Sequence, residues 1–370
     1  MRAFRTRIAA PILRRPVRYY SASHATFRYD VDPASASASK VPGPWTAAKG
    51  APSALNWDLA SSGLAFSATN EKPDHWGNVL PEYFGADGHR DANLAYSELE
   101  KDETKFVGRL TDTIVRKGFV FVTGVPADTA QPTEDLLRKI AFIRETHYGG
   151  FYDFIPDLAL ADTAYTNVAL AAHTDTTYFT DPVGLQSFHL LSHTDSSAHK
   201  DDAGNLGGQS LLVDGFHAAQ ILKAEEPHLF NVLASVDLPW HASGNEGITI
   251  APDRLYPVLE LDEKRQAVLR IRWNNSDRGV VPVGGEYSAS EWYKAARKWD
   301  EILRRKGMEY WFQLKPGTVL IFDNRRVLHG RSAFTGVRRI CGGYLNWDDY
   351  ISRWRNTNYS QDEILKQIIG

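Results

Sequence analysis

Apolar positions along the chain change period from end to end. In 101–117 (KDETKFVGRLTDTIVRK) Phe106, Leu110 and Ile114 recur four residues apart, one face of an amphipathic helix. Gly118 closes that helix, and FVFVTGVP (119–126), an unbroken apolar run ended by Gly and Pro, predicts a short buried strand. A second helix is predicted from Thr133 to Ile143, with Thr133 as N-cap and acids at 134–135. From about residue 163 the runs shorten. TAYTNVAL (163–170), GLQSFHLL (184–191), QSLLVDGF (209–216), AVLRIRWN (267–274), TVLIFDN (318–324) and RICGGYLN (339–346) predict strands, interrupted by one helix, SEWYKAARKWDEILRRK (290–306). Many short strands with a helical insert predict a sandwich or barrel rather than a doubly wound sheet. No internal repeat is apparent.

Two stretches stand apart. Residues 1–29 carry seven Arg and no acid before Asp30. An Arg-rich, Ser-containing, acid-free segment has the make-up of a mitochondrial transit peptide. Arg18-Tyr19-Tyr20-Ser21 resembles a matrix-processing site cut before Ser21, so 1–20 is read as the presequence and the matrix as the destination. The plainer alternative is a basic tail. Residues 31–56, rich in Ala, Ser, Pro and Gly, predict a linker or frayed lead-in.

Composition narrows the function classes. With 43% hydrophobic and 24% charged residues the chain is ordinary globular material, long enough to bury a core without covalent staples. Its single cysteine, Cys341, excludes an internal disulfide framework or a Cys-rich zinc module. A near-balance of 42 basic and 45 acidic side chains gives no footprint of a nucleic-acid partner. No apolar run approaches the ~18 residues that a conventional membrane helix needs.

The candidate chemistry lies in histidine–acid pairs. In His173-Thr174-Asp175, a strand would project residues i and i+2 from one face, so both reach one ion while Thr174 points away. With a distant His they would form a 2-His-1-carboxylate triad, three ligands on one face that leave positions open for co-substrate and O2. His193-Thr194-Asp195 and His199-Lys200-Asp201 share the spacing, but lie in SHTDSSAHKDDAGN, a polar stretch read as a solvated loop. For the third ligand His329 stands out, following the apolar run TVLIF and preceding a Gly. Nearby Arg338 strengthens it, because a keto-diacid chelating Fe(II) leaves its far carboxylate needing a guanidinium fork. Arg339 is the adjacent candidate; neighbours on a strand face opposite ways, so only one can serve.

These residues resemble the trimethyllysine and γ-butyrobetaine dioxygenases, Fe(II)/2-oxoglutarate enzymes of carnitine biosynthesis. The motifs, in the family's order, are IRETHYGG (143–150), DTAYTNVALAAHTDTTYF (162–179), GGQSLLVDGF (207–216), IRWNNSDRG (271–279) and FDNRRVLHGRSAFTG (322–336). DTAYT, HTDTTYF and the short step from His329 to Arg338 are more similar to the trimethyllysine branch. The resemblance implies a mainly β protein, a double-stranded β-helix (jelly-roll, cupin-like) core with flanking and inserted helices. It implies a catalytic domain over 100–355, preceded by a shortened N-terminal extension (21–99) and followed by a tail (356–370). His173, Asp175 and His329 would be the iron ligands, Arg338 would hold the C5 carboxylate of 2-oxoglutarate, and Ser210 would touch the same co-substrate. Ascorbate is implied as activator.

On the substrate side it implies an aromatic cage of Tyr148, Tyr152, Tyr165 and Tyr344. A trimethylammonium group has no N–H to donate and is held by aromatic faces. Asp162 and Asn274 would hold the amino-acid end, and an acid at 162 suits an α-ammonium group. Two departures mark this chain. The family's cysteine-built zinc site cannot exist here, and because the shortened N-terminal domain contributes to dimer contacts in the family, the resemblance leaves open whether the chain forms a homodimer. By the same resemblance, Tyr152 stands where animal relatives have Trp, and Arg325 stands where Trp is usual in the family. Three functions are therefore weighed: C3 hydroxylation of N6-trimethyllysine in mitochondria; a paralogous oxygenase that hydroxylates, desaturates or cyclises another amino acid; and a non-catalytic module binding quaternary ammonium groups.

Overall fold

The computed structural model describes residues 75–76, 92–155, 166–195, 206–243, 247–265, 267–282 and 285–369. The chain divides into two units, Met1–Trp57 and Asp58–Gly370, and every described residue belongs to the second. The expected presequence, the linker and most of the N-terminal extension lie outside the described residues.

The chain runs β1 (Asn93–Ala95), α1 (Ser97–Lys101), α2 (Glu103–Lys117), β2 (Phe119–Thr123), α3 (Gln131–Ile140), β3 (Tyr152–Phe154), β4 (Leu170–His173), β5 (Leu185–Thr194) and β6 (Ser210–Asp214). Then come α4 (Gly215–Glu225), α5 (Pro227–Ser235), β7 (Leu259–Leu261), β8 (Val268–Ile271), α6 (Ala289–Leu303), β9 (Tyr310–Phe312), β10 (Thr318–Asp323), β11 (Val327–Arg331), β12 (Val337–Gly342), β13 (Tyr344–Leu345), α7 (Trp347–Asn358) and α8 (Gln361–Ile369). Seven strands make one sheet in the order β1-β2-β10-β5-β12-β3, with β13 also on β5. Four make a second, β4-β11-β6-β9, and β7 and β8 form a separate pair. Among the described strands only β1–β2 is parallel. This is a double-stranded β-helix.

Alternation along the strands explains why so many read as unbroken apolar runs: both faces of each sheet are covered. Val120, Val122, Val319 and Ile321 point from the large sheet into a cluster with α2, α3 and α7. Their neighbours Phe119, Phe121, Leu320 and Phe322 point the other way, into a core shared with Leu212 and Val327 of the small sheet. Leu211, Val213 and Leu328 face outward onto α4, α5 and α6, where Trp240, Trp292 and Trp299 are buried. The four layers are helices, sheet, sheet, helices, and the functional space lies between the sheets.

Several expected boundaries shift. The first predicted helix breaks at Asp102, whose side chain accepts Lys105 N–H at 3.0 Å and caps α2; Gly118, at φ 83°, ends it as expected. Thr133 is not an N-cap. α3 starts after Ala130 with Pro132 in its first turn, and Thr133 is buried with its hydroxyl 2.7 Å from His189 Nδ1. The strand read through Phe216 stops at Asp214, which accepts the N–H groups of Phe216 and His217 and so begins α4. Three helices rather than one therefore separate β6 from β9. α4 was legible as Gly215, Ala218, Ala219 and Leu222, a helical stripe built from small residues. Of TAYTNVAL only Leu170 enters β4.

Candidate metal centre and its cavity

β4 and β11 are antiparallel neighbours, and their register sets His173 directly opposite His329. Directly paired residues carry Cβ atoms about 5 Å apart on one face, and here the imidazole centroids are 4.3 Å apart. The close approach needs Gly330, because a Cβ there would lie 2.6 Å from Leu170 O. Asp175 arrives differently from the strand geometry expected. β4 ends at His173, and a turn with Thr176 at φ 55° delivers the carboxylate. Asn324 fixes that turn, accepting Asp175 N–H and donating to Asp175 O, each at 2.9 Å. Thr174 does point away, bonded to the backbone at Ile271 and Trp273.

The ligand atoms of His173, Asp175 and His329 all lie within 4.8 Å of one another. Their hydrogen bonding suits a cation. His173 Nδ1 donates to Ala171 O at 2.8 Å, which turns its Nε2 toward Asp175 Oδ1 at 3.1 Å, where the carboxylate favours a cation on or beside the ring; His329 Nε2 is 3.8 Å from the same oxygen. Two electron-rich atoms that close require a proton or a metal between them. The other carboxylate oxygen is taken: Gln186 Nε2 donates to Oδ2 at 2.8 Å and Tyr344 OH at 3.0 Å. Burial pushes His329 down to about 3, so it is a neutral imidazole with a lone pair to give. Burial would raise Asp175, but the two histidines and Gln186 outweigh it and keep the carboxyl ionised. Two neutral-capable imidazoles and one carboxylate on one side of a cavity are the donor set of non-haem Fe(II) oxygenases.

Tyr344→Phe keeps the ring and removes one donor to Asp175. Outer-shell partners of this kind are typically worth 10–100-fold in metal affinity. Fe(II) affinity should fall by about that factor in an anaerobic titration, and an unchanged affinity would show that Gln186 alone orients the ligand.

A cavity of about 450 Å³ opens beside the triad. Arg338 lines it and is 6% exposed. Its Nε is buried without a hydrogen-bond partner, and no ion pair to it occurs among the described residues. Burial, then repulsion from Arg331, lowers the guanidinium to about 10, which leaves it cationic at neutral pH. A buried cation without a carboxylate asks for an anionic ligand. Arg339 on the opposite pleat is engaged, forking onto Asp153 at 2.8 and 2.6 Å, so strand alternation decides between the two. Ser210 lines the cavity opposite Arg331 in the β6–β11 register.

Tyr148, Tyr152, Tyr344 and Asn274 also line the cavity. Tyr152 OH donates to Ser187 O at 2.6 Å, and its ring lies 6.0 Å from that of Tyr344. Asn274 accepts Ser276 N–H at 3.0 Å. Asp162 and Tyr165 lie outside the described residues. Of the competing pairs, His193 bonds Thr335 O at 2.8 Å and stays out of the cluster, while His199 and Asp201 lie outside the described residues. Arg325 stacks on Trp347 at 4.1 Å and is not among the cavity's lining residues. Sequence reading missed Gln186, Asn324, Tyr178, Arg331 and Asp277. Gln186 left a trace as a polar residue inside an apolar strand; the others lie within the quoted motifs, where nothing local assigned them a role.

Residues 77–344 match the model of the taurine catabolism dioxygenase TauD, TfdA family. The chain belongs to this dioxygenase family. Within it, the chain is 54% identical, over 330 aligned positions, to a trimethyllysine dioxygenase of Neurospora crassa, the match covering 83% of the chain and 70% of that protein. A trimethyllysine dioxygenase of Meyerozyma guilliermondii is 43% identical over 69% of the chain and 61% of its own length. The rat protein called "Trimethyllysine dioxygenase, mitochondrial" is 41% identical over 64% of the chain. The chain spans little more than half (54%) of that relative. The match begins at residue 77, so this dioxygenase takes its family membership from the segment that carries the triad.

Proposed function

We propose that this family member hydroxylates C3 of N6-trimethyllysine in the mitochondrial matrix, the opening step of carnitine biosynthesis. The observation that carries the reading is the His173–Asp175–His329 cluster facing a cavity that also holds the buried, acid-free Arg338. Fe(II) bound by those three side chains would supply the oxidising chemistry, with 2-oxoglutarate and O2 converted to succinate and CO2 and one oxygen atom passed to the substrate.

The chain's own residues supply placement. Arg338 takes the far carboxylate of 2-oxoglutarate by a charge-assisted fork, with Ser210 beside it. The faces of Tyr148, Tyr152, Tyr344 and Tyr165 hold the trimethylammonium group by cation–π attraction. Asp162 and Asn274 take the amino-acid end. Tyr344 does two things at once, since its hydroxyl orients the metal-binding carboxylate while its ring faces the cavity. The aromatic and apolar wall keeps water from the reacting C–H bond. The acid-free, Arg-rich head of the chain and the mitochondrial designation of the rat relative support the compartment.

The test is succinate formation by residues 21–370 with Fe(II), ascorbate, O2 and 2-oxoglutarate against N6-trimethyllysine, γ-butyrobetaine, lysine and small branched amino acids. Succinate coupled to trimethyllysine loss, with a product one oxygen atom heavier, is expected. Coupling to another amino acid would keep the iron chemistry and replace the substrate.

A further inference from the structure

A cluster of arginines lies outside the metal-site cavity. Arg325 sits in the turn between β10 and β11, one residue beyond the Asn324 that fixes the Asp175 turn, and its carbonyl accepts Ile271 N–H at 2.9 Å. That bond sets Arg325 beside Arg270, the residue before Ile271. Arg270 Nη2 donates to Asp181 Oδ1 at 3.0 Å. Arg144 Nη1 donates to the carbonyl of the same aspartate at 2.9 Å and is 3.9 Å from its Oδ2. Three arginines from three stretches of chain thus gather around Asp181 and the β10–β11 turn, and none of them lines the cavity.

The carboxylates nearby are committed elsewhere. Asp181 serves Arg144 and Arg270, Glu260 binds the buried Arg272 at 2.6 Å, and Asp323 Oδ1 accepts the backbone N–H of Arg325 at 2.8 Å. Among the described residues none of them forms an ion pair with Arg325, and no side-chain hydrogen bond of Arg325 occurs. Its guanidinium stacks on Trp347 at 4.1 Å, and its Nε, like that of Arg270, is buried without a partner. Burial, then repulsion from Arg270, lowers Arg325 to about 10, which leaves it cationic at neutral pH. Like charges repel more strongly in a partly buried place than in water, and an anion between them relieves the repulsion. The donors for one are in place. A guanidinium carries five N–H groups, of which Arg144 and Arg270 each give one to Asp181 and Arg325 gives none to the protein.

We propose that Arg325, with Arg270 and Arg144, binds a phosphate group at a site outside the catalytic cavity. A tetrahedral oxyanion has oxygens for more than one guanidinium fork, whereas Asp181 already supplies the one carboxylate that Arg144 and Arg270 share. Stacking on Trp347 holds the plane of Arg325, so its N–H edge is aimed before the ligand arrives. The site does not depend on which amino acid the cavity takes.

The experiment titrates inorganic phosphate into the full chain, loaded anaerobically with Fe(II) and saturated with 2-oxoglutarate so that Arg338 is occupied, and reads binding by calorimetry. One saturable site is expected. Two variants remove the charge: Arg325→Gln, and Arg325→Trp, which keeps an aromatic partner for Trp347 and installs the residue usual in the family. Each should weaken phosphate about tenfold or more, the share of a hydrogen bond to a charged group, and thermal unfolding in parallel checks that both are folded. Arg338→Met should leave phosphate affinity unchanged. Glycerophosphate bound as tightly as phosphate assigns the site to phosphate monoesters, and weaker binding assigns it to the free ion; both support the proposal. No saturable binding by wild type, or equal affinity in wild type and both Arg325 variants, overturns it. Loss of phosphate binding in Arg338→Met overturns it as well, because the anion would then be entering the cavity.

Discussion

His173→Ala and His329→Ala should each lose Fe(II) binding and 2-oxoglutarate turnover together. Either change removes one of three donors that meet within 4.8 Å and leaves Asp175 Oδ1 facing a single imidazole. A metal's charge stabilisation is worth several kcal/mol, and about 4 kcal/mol corresponds to roughly a thousandfold in rate. Succinate formation should therefore fall by about a thousandfold or more, with iron content after anaerobic dialysis falling in parallel. His193→Ala is the control, since its spacing to Asp195 copies that of His173 to Asp175 while its ring is occupied by Thr335 O. It should retain iron. Turnover within about tenfold of wild type in His329→Ala would reject the triad.

Arg326→Met should be strongly destabilising. Arg326 and Asp214 are buried, with side-chain exposures of 2% and 0%, and share two bonds of 3.1 and 2.7 Å. Asp214 also caps α4 and accepts Trp76 N–H at 3.2 Å, while Arg326 donates to Arg116 O at 2.8 Å. The pair thus joins the end of β6, the β10–β11 turn and the C-terminus of α2. Removing the cation strands a buried carboxylate, at a cost of about 3–5 kcal/mol, measurable by denaturant unfolding at pH 7. The pH dependence has a definite sign. In wild type burial alone would raise Asp214, but Arg326 first and His75 second outweigh it and hold the carboxyl well below the usual range. A carboxyl depressed in the folded state contributes stability above its unfolded value of about 3.9, and this is lost as pH falls through the folded value. In Arg326→Met the main opposing charge is gone and His75 with the N–H donors opposes burial alone, so protonating the carboxyl relieves a penalty. The deficit of the variant should be largest near pH 7 and shrink toward pH 4. A deficit independent of pH would mean that lost packing, not the stranded charge, is responsible.

The layered architecture and half of the metal site could be read along the chain because both rest on local geometry. The strands from Leu185, Ser210 and Thr318 showed as apolar runs, since in a sheet covered on both faces every position is buried. Helix α6 showed as a 3.6-residue stripe closed by a capping box at Ser288 and Glu291. The spacing of His173 and Asp175 and the context of His329 marked the ligands. Element ends were less legible: whether Asp214 ends a strand or caps a helix depends on Arg326 and Trp76, residues remote in sequence.

Tertiary structure decided everything that depends on register between strands. That His329 faces His173, that Arg338 rather than Arg339 enters the cavity, and that Gln186 and Tyr344 saturate one oxygen of Asp175 all follow from which residue of one strand lies opposite which residue of another. A slip of one residue would send each of those side chains to the other face, and no local pattern records the choice. Residue types and short spacings thus determined the chemistry this chain can perform, while the pairing of distant strands determined where its ligands and its anion-seeking arginine meet.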